Sequence, residues 1–268
     1  MNILKAIILG IVQGLTEFMP VSSSGHLVLM QKTFGMTAPA LFFDTMLHAG
    51  TLLAVFAVLW RDIWDILRKP IQPLTGFLII ATIPAVIAAL AFGDLVEHAF
   101  ESGQFLGVCF LATSMILIIA ERLSKKAGNF KKTENMNCLD ALIIGIMQAV
   151  AVIPGISRSG ATISGALSRK LDRGFAARFS FLMSIPVILG ALALQIKHLL
   201  KGTESAGESI GVFAVIAGAL SAAVVGFFAV KLMIKVIREK SLYGFAIYTG
   251  ILGILILFDQ LVTRIVLW

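Results

Sequence analysis

Six apolar runs, approximately 41–60, 74–93, 105–121, 178–197, 210–231 and 242–262, are each long enough to cross a bilayer as a helix. About 20 mostly apolar residues suffice, because a helix rises about 1.5 Å per residue and the hydrocarbon layer is about 30 Å thick. Nothing else constrains the chain so strongly. A water-soluble domain of 268 residues has no interior large enough for six such helices, so part of their surface faces lipid. Composition agrees: 58% of the residues are hydrophobic and 14% charged, where soluble domains carry about 25% charge. The same figures exclude a disordered chain, a coiled coil and a secreted disulfide scaffold. Cys109 and Cys138 form no framework and lack metal-ligand spacing. The first apolar stretch follows a single Lys5 and precedes no small-residue cleavage site, so it is expected to remain in the mature chain. The expected fold class is an all-α polytopic membrane protein, one integral membrane domain over 1–268.

Charge sets the orientation. The 22 Lys and Arg against 15 Asp and Glu give a net +7. Most of the basic residues sit in short loops between apolar runs, which is the positive-inside bias of a membrane protein, and no nucleic acid is needed to explain them. Arg61, Arg68 and Lys69 follow the first run, and Arg122, Lys125, Lys126, Lys131 and Lys132 follow the third. Lys231, Lys235, Arg238 and Lys240 precede the last, whereas the 94–104 connection carries only Asp94, Glu97 and Glu101. The 61–73, 122–138 and 232–241 loops are therefore predicted to be cytoplasmic, with both termini outside.

That bookkeeping leaves 1–40 and 139–176 each starting and ending on one side, although both contain apolar runs. Both break midway, at FMPVSSSGH (18–26) and VIPGISRSGAT (152–162). Irregular backbone at membrane depth is tolerated only where protein or a polar cavity surrounds it. Each stretch is read as a re-entrant helical hairpin, one from each face. A shift of 135 residues superposes Gly10 on Gly145, Gln13 on Gln148, Ser22 on Ser157, Ser24 on Ser159 and Gly25 on Gly160. Three spans follow each hairpin, and an odd number inverts the second half. The expectation is two inverted-topology repeats, about 1–121 and 139–262, whose broken helices meet near the midplane.

The breaks hold the polar residues. Charge at membrane depth costs at least about 2.5–3.5 kcal/mol, so an ionisable residue there is a functional candidate. Gln13 and Glu17 are four apart on one helix face, a carboxylate and an amide oxygen suited to a hard divalent cation, Mg²⁺ or Ca²⁺. The alternative is that Glu17 pairs with Arg158. Ser22, Ser23 and Ser24 follow Pro20 as a helix start whose free N–H groups suit an anion, and His26 is within reach of Ser22 and Ser23. In the second break, Gly155 and Gly160 allow close approach of a ligand, Ser157, Ser159 and Thr162 offer hydroxyls, and Arg158 offers a planar fork for phosphate. Asp44 and His48, also four apart, either line the same cavity or form a structural pair.

QGLTE (13–17), PVSSSGH (20–26) and PGISRSGAT (154–162) resemble the signature segments of the undecaprenyl-diphosphate phosphatase family, the bacitracin-resistance membrane proteins. The resemblance runs over essentially the whole chain in the length, order and spacing of the spans. The family's first motif, Glu or Gln, three residues, then Glu, is met by Gln13 and Glu17. The resemblance implies removal of the terminal phosphate of undecaprenyl diphosphate, which recycles a lipid carrier for cell-wall synthesis. It also implies dependence on a divalent cation and a site opening to the outer face of the cytoplasmic membrane. A homodimer is compatible with all of this. On that reading Arg158, the 155–160 amides and Thr162 hold phosphate, and Gln13 and Glu17 hold the cation. Ser23 is the nucleophile, activated by His26; a metal-activated water is the rival. A transporter or flippase of the same lipid, doing no chemistry, is the competing class.

Overall fold

A computed structural model describes residues 1–36, 40–126, 130–131, 133–201 and 210–263. The described residues form eleven α-helices. In chain order these are α1 (Ile3–Thr16), α2 (Ser23–Thr33), α3 (Leu41–Val58), α4 (Trp60–Arg68), α5 (Pro73–Ser102) and α6 (Leu106–Lys126), then α7 (Cys138–Val150), α8 (Arg158–Ser168), α9 (Arg173–Lys201), α10 (Val212–Glu239) and α11 (Tyr243–Phe258). A π-helical turn, Asp259–Thr263, extends α11. No strand occurs among the described residues, only an isolated bridge between Lys131 and Leu171.

Six of the helices, α3, α5, α6, α9, α10 and α11, are long and apolar enough to cross a membrane, and they coincide with the six apolar runs. The elements differ from expectation in three places. The acidic 94–104 connection is mostly helix, because α5 continues past a kink at Phe92 to Ser102. Asp94, Glu97 and Glu101 are spaced three and four apart, which is a helical face and not a loop. Helix α9 begins at Arg173, ahead of the expected 178, because the Asp172 carboxylate accepts a hydrogen bond from Phe175 N–H at its first turn. The 61–73 connection contains α4, an amphipathic helix with Trp60 and Trp64 exposed and Arg61 and Arg68 lying over their rings. That combination suits a helix lying in the membrane interface.

The first helix of each short pair, α1 of α1–α2 and α7 of α7–α8, packs chiefly on a helix outside its own pair. Helix α1 lies on α10, and α7 lies on α5. In both cases a glycine admits the partner's backbone: a Cβ on Gly10 would strike the Gly218 carbonyl, and one on Gly145 would come within 2.6 Å of the Ala81 oxygen. Such close approach is how helices associate without a hydrophobic driving force in lipid. The largest core cluster, with Phe18, Leu117, Ile144, Ile163, Phe179 and Phe181 fully buried, fills the space behind the second break. Phe18 and Phe181 meet edge to face at 5.2 Å.

The ends of the bundle differ in character. At one end Glu121 accepts from Arg173 (3.0 Å) and from Leu242 N–H, while Arg173 also donates to the Ile237 and Lys240 carbonyls. Fully buried Asp140 joins the same end through Lys131 and Arg169, after capping α7 reciprocally with Asn137. At the other end Met1, Phe34, Met36 and Ile210 gather on one apolar cluster, and Gln260 donates to the Gly103 carbonyl.

Candidate active site

Each break is a helix stop followed by a serine-capped restart. Helix α1 ends at Thr16, Pro20 prevents its continuation, and Ser22 turns the chain with φ 72° and ψ 92°. That backbone is costly for a residue with a Cβ. The Ser22 hydroxyl then accepts from Gly25 N–H, capping α2. In the second break Gly155 takes φ 91°, where a side chain would be strained and would also meet Cys109 Cβ at 2.8 Å. Ser157 caps α8 by accepting from Gly160 N–H at 3.1 Å. Ser22 and Ser157, matched by the 135-residue shift, thus do the same work.

The breaks touch. Ser159 Oγ donates to the Met19 carbonyl at 2.8 Å, and Gly155 N–H donates weakly to Ser24 Oγ at 3.4 Å. The starts of α2 and α8 therefore lie together, both presenting the positive end of a helix dipole. At their meeting point stands Glu17, almost wholly buried. Its Oε1 accepts from Arg158 Nη2 at 2.6 Å, and its Oε2 accepts from Ser23 Oγ at 2.6 Å and from Gln13 Nε2 at 3.0 Å. His48 Nδ1 lies 3.3 Å from the same Oε2 and 2.8 Å from Gln13 Nε2. Arg158 is steadied from behind, its Nη1 donating to the Ser180 carbonyl.

The structure thus brings Gln13, Glu17, Ser23, His48 and Arg158 into one cluster. His48 joins the site directly; Asp44 instead accepts from Gln31 Nε2 at 2.6 Å and keeps a second, buried oxygen without a partner. The described hydrogen bonds do not join Ser23 to His26. Ser23 Oγ donates a hydrogen bond to Glu17 Oε2, while His26 Nδ1 bonds the Ser22 carbonyl at 2.7 Å and Nε2 bonds the Tyr248 hydroxyl at 2.7 Å. The cause is local: Ser22 folds back so that its carbonyl meets His26 one helical turn on, which turns the imidazole away from Ser23. The hydroxyls of Ser157, Ser159 and Thr162 are buried and bonded within the protein, Thr162 to Ser180 Oγ at 2.6 Å, so they hold the second break in shape. Sequence reasoning missed Gln31, Thr113, Ser180 and Tyr248. Thr113, whose Oγ1 accepts from Ser157 N–H, and Ser180 lie inside apolar runs. A polar residue on a helix face that otherwise packs inward is the only signal that could have found them.

A divalent cation can be tested against these side chains. Gln13 Oε1 is buried and has no hydrogen-bond partner, while Nε2 donates to Glu17 Oε2 and lies 2.8 Å from His48 Nδ1. With Glu17 it makes a two-oxygen donor set. No group of three or more His, Cys, Asp or Glu that could hold a metal occurs among the described residues. A hard cation completed by phosphate oxygens and water fits; an all-protein cage does not.

Fold and site together define a polytopic helical membrane protein with a carboxylate, a guanidinium and a serine hydroxyl joined where two broken helices meet. Comparison with known proteins is specific. The family profile "Bacitracin resistance protein BacA" matches residues 6–255. The chain is 45% identical to "Undecaprenyl-diphosphatase" of Carboxydothermus hydrogenoformans over 97% of this chain and 98% of that one. It is 47% identical to "Undecaprenyl-diphosphatase 3" of Bacillus cereus, with the same coverage. A relative from Methanosphaera stadtmanae with the first of these names is 39% identical over 95% of this chain. The chain belongs to the bacitracin resistance protein BacA family.

Proposed function

We propose that this chain is an undecaprenyl-diphosphate phosphatase that removes the terminal phosphate and returns undecaprenyl phosphate to cell-wall synthesis, which underlies bacitracin resistance. The observation that carries the chemistry is one carboxylate, Glu17, held between Arg158 on one oxygen and Ser23 on the other. Phosphoryl transfer asks the protein mainly for position and charge neutralisation. Arg158 has five N–H donors and the described bonds use two, leaving others for non-bridging oxygens. The amides at the starts of α2 and α8 add to that field. Ser23 Oγ attacks the terminal phosphorus as its proton passes to Glu17 Oε2 over 2.6 Å. The bond from phosphorus to the bridging oxygen breaks, and undecaprenyl phosphate leaves with the electron pair. Water then displaces the phosphoserine, releasing inorganic phosphate as the proton returns to Oγ. The attacking water gives its proton to His26 at Nε2, the nitrogen that the Tyr248 hydroxyl meets, since Nδ1 is committed to the Ser22 carbonyl, and the imidazolium then loses it to solvent. A Mg²⁺ or Ca²⁺ held by Gln13 and Glu17 would neutralise charge on the diphosphate.

The same reading makes α1–α6 and α7–α11 two inverted repeats in one membrane domain. Its support is the exchanged packing of α1 on α10 and α7 on α5, with Gly10 and Gly145 in equivalent contacts. The ion-paired end faces the cytoplasm by the positive-inside rule, and the site opens to the outer side of the cytoplasmic membrane.

Purified protein given undecaprenyl diphosphate should release free phosphate, and a chelator should suppress the release until Mg²⁺ or Ca²⁺ is restored. Absence of phosphate release would defeat the enzymatic reading; release that a chelator leaves untouched would defeat the cation.

A further inference from the structure

His26 sits in an aromatic slot that no motif announces. The Phe110 ring meets it edge-on at 5.3 Å, and the Tyr248 ring stacks on it at 5.7 Å with planes 10° apart. Tyr248 is one of two tyrosines in the chain and lies 222 residues away, on α11. Its hydroxyl bonds His26 Nε2 at 2.7 Å. Exposure separates the pair: His26 is 8% exposed and Tyr248 47%, among lipid-facing Ile247, Ile251 and Ile254.

The partners settle the proton positions. A carbonyl oxygen only accepts, so the His26 Nδ1 opposite the Ser22 carbonyl carries a proton. In the neutral ring Nε2 is then the acceptor, and the Tyr248 O–H donates to it. When Nε2 gains a proton, it becomes a donor and the Tyr248 oxygen, after rotation of its hydrogen, accepts. A single hydroxyl thus serves both protonation states without movement of either ring. No other side chain in the described residues bonds Nε2.

We propose that Tyr248 is a positioning residue for His26: it holds the imidazole by stacking and by a hydrogen bond that suits both states of Nε2. This rests on the reading of His26 as the proton-exchanging group of the phosphatase site. Phenylalanine at 248 keeps the stack and loses the bond, leaving the protonated Nε2 without an acceptor.

The experiment is a double-mutant cycle on purified enzyme, with radiolabelled undecaprenyl diphosphate and a range wide enough to follow a 10⁴-fold loss. Tyr248→Phe should lower kcat by about tenfold and change KM less than about twofold, with unaltered thermal stability, since the bond matters most when Nε2 is charged. Adding Tyr248→Phe to His26→Ala should lower activity no further, because the tyrosine acts through the histidine. In ¹⁵N spectra of the native enzyme, the His26 signals (those absent from His26→Ala) should show the Nδ1–H tautomer. An Nε2–H tautomer would overturn the proposal without any variant at 248. So would wild-type kcat in Tyr248→Phe, or the same fold-loss in the presence and absence of His26. Either of these with a strongly impaired but measurable His26→Ala leaves the phosphatase reading intact, whereas wild-type turnover by His26→Ala overturns the role of His26 and that of Tyr248 with it.

Discussion

Glu17 is the residue on which the site turns, because it carries charge in a place where charge is expensive. Its cost is met by an adjacent guanidinium at 2.6 Å and by hydroxyl and amide donors. Arginine is specific here: one N–H bonds Glu17 and another the Ser180 carbonyl, and on the proposed function its further donors meet the diphosphate. Arg158→Lys keeps the charge and loses the fork, so kcat/KM should fall on the order of 100-fold, about 2.7 kcal/mol. Steady-state kinetics of the lysine variant check this, and near-normal turnover would leave Arg158 only a structural partner of Glu17. These residues were legible in the sequence because polar groups inside apolar runs stand out. The pairing of Glu17 with Arg158 was one of the alternatives the sequence offered, and that of Ser23 with Glu17 was not. Whether Ser23 faces Glu17 or His26 depends on the φ of 72° at Ser22, and a serine gives no sign of that conformation.

Among the elements, the short helices are held by contacts at their far ends as much as by the site. Gly145 admits the α5 backbone, and Gly145→Val should lower the melting temperature of detergent-solubilised protein by several degrees as α7 is pushed from Ala81. Asp140 ties the start of α7 to the end of α8. Burial would raise its pKa, but hydrogen bonds from Arg169, Lys131 and the Asn137 N–H prevail and hold it below the ordinary carboxylate value. A lowered carboxylate pKa stabilises the folded state above the unfolded value of about 4, and that contribution is lost as pH falls through the folded value. Asp140→Asn should therefore cost about 2 kcal/mol at pH 7, with the gap from wild type closing below about pH 4. Melting curves of both proteins across pH test this; a gap independent of pH would contradict it. The spans were legible from length and hydropathy alone. The end of α5 was not, since Asp94, Glu97 and Glu101 read as a polar connection until their spacing is taken as a helical face.

For the whole molecule, orientation is the simplest prediction. In a cysteine-free background, a cysteine at position 104 should react with an impermeant reagent in intact cells, and one at position 69 only after the membrane is opened. The reverse pattern would invert the topology. The exchanged packing of α1 with α10 and α7 with α5 could be guessed from the 135-residue shift only as symmetry, because sequence order does not say which distant helix each glycine faces. What this architecture accomplishes is to set a serine against a carboxylate beside an arginine at the meeting of two helix starts. The most direct test is phosphate release from undecaprenyl diphosphate by purified, folded Ser23→Ala at saturating cation, with Ser22→Ala alongside. With Ser23 as nucleophile, Ser23→Ala falls to near background while Ser22→Ala keeps measurable turnover. A few per cent or more of wild-type turnover in Ser23→Ala, with Glu17→Ala inactive, would contradict the account and put water in the place of the serine.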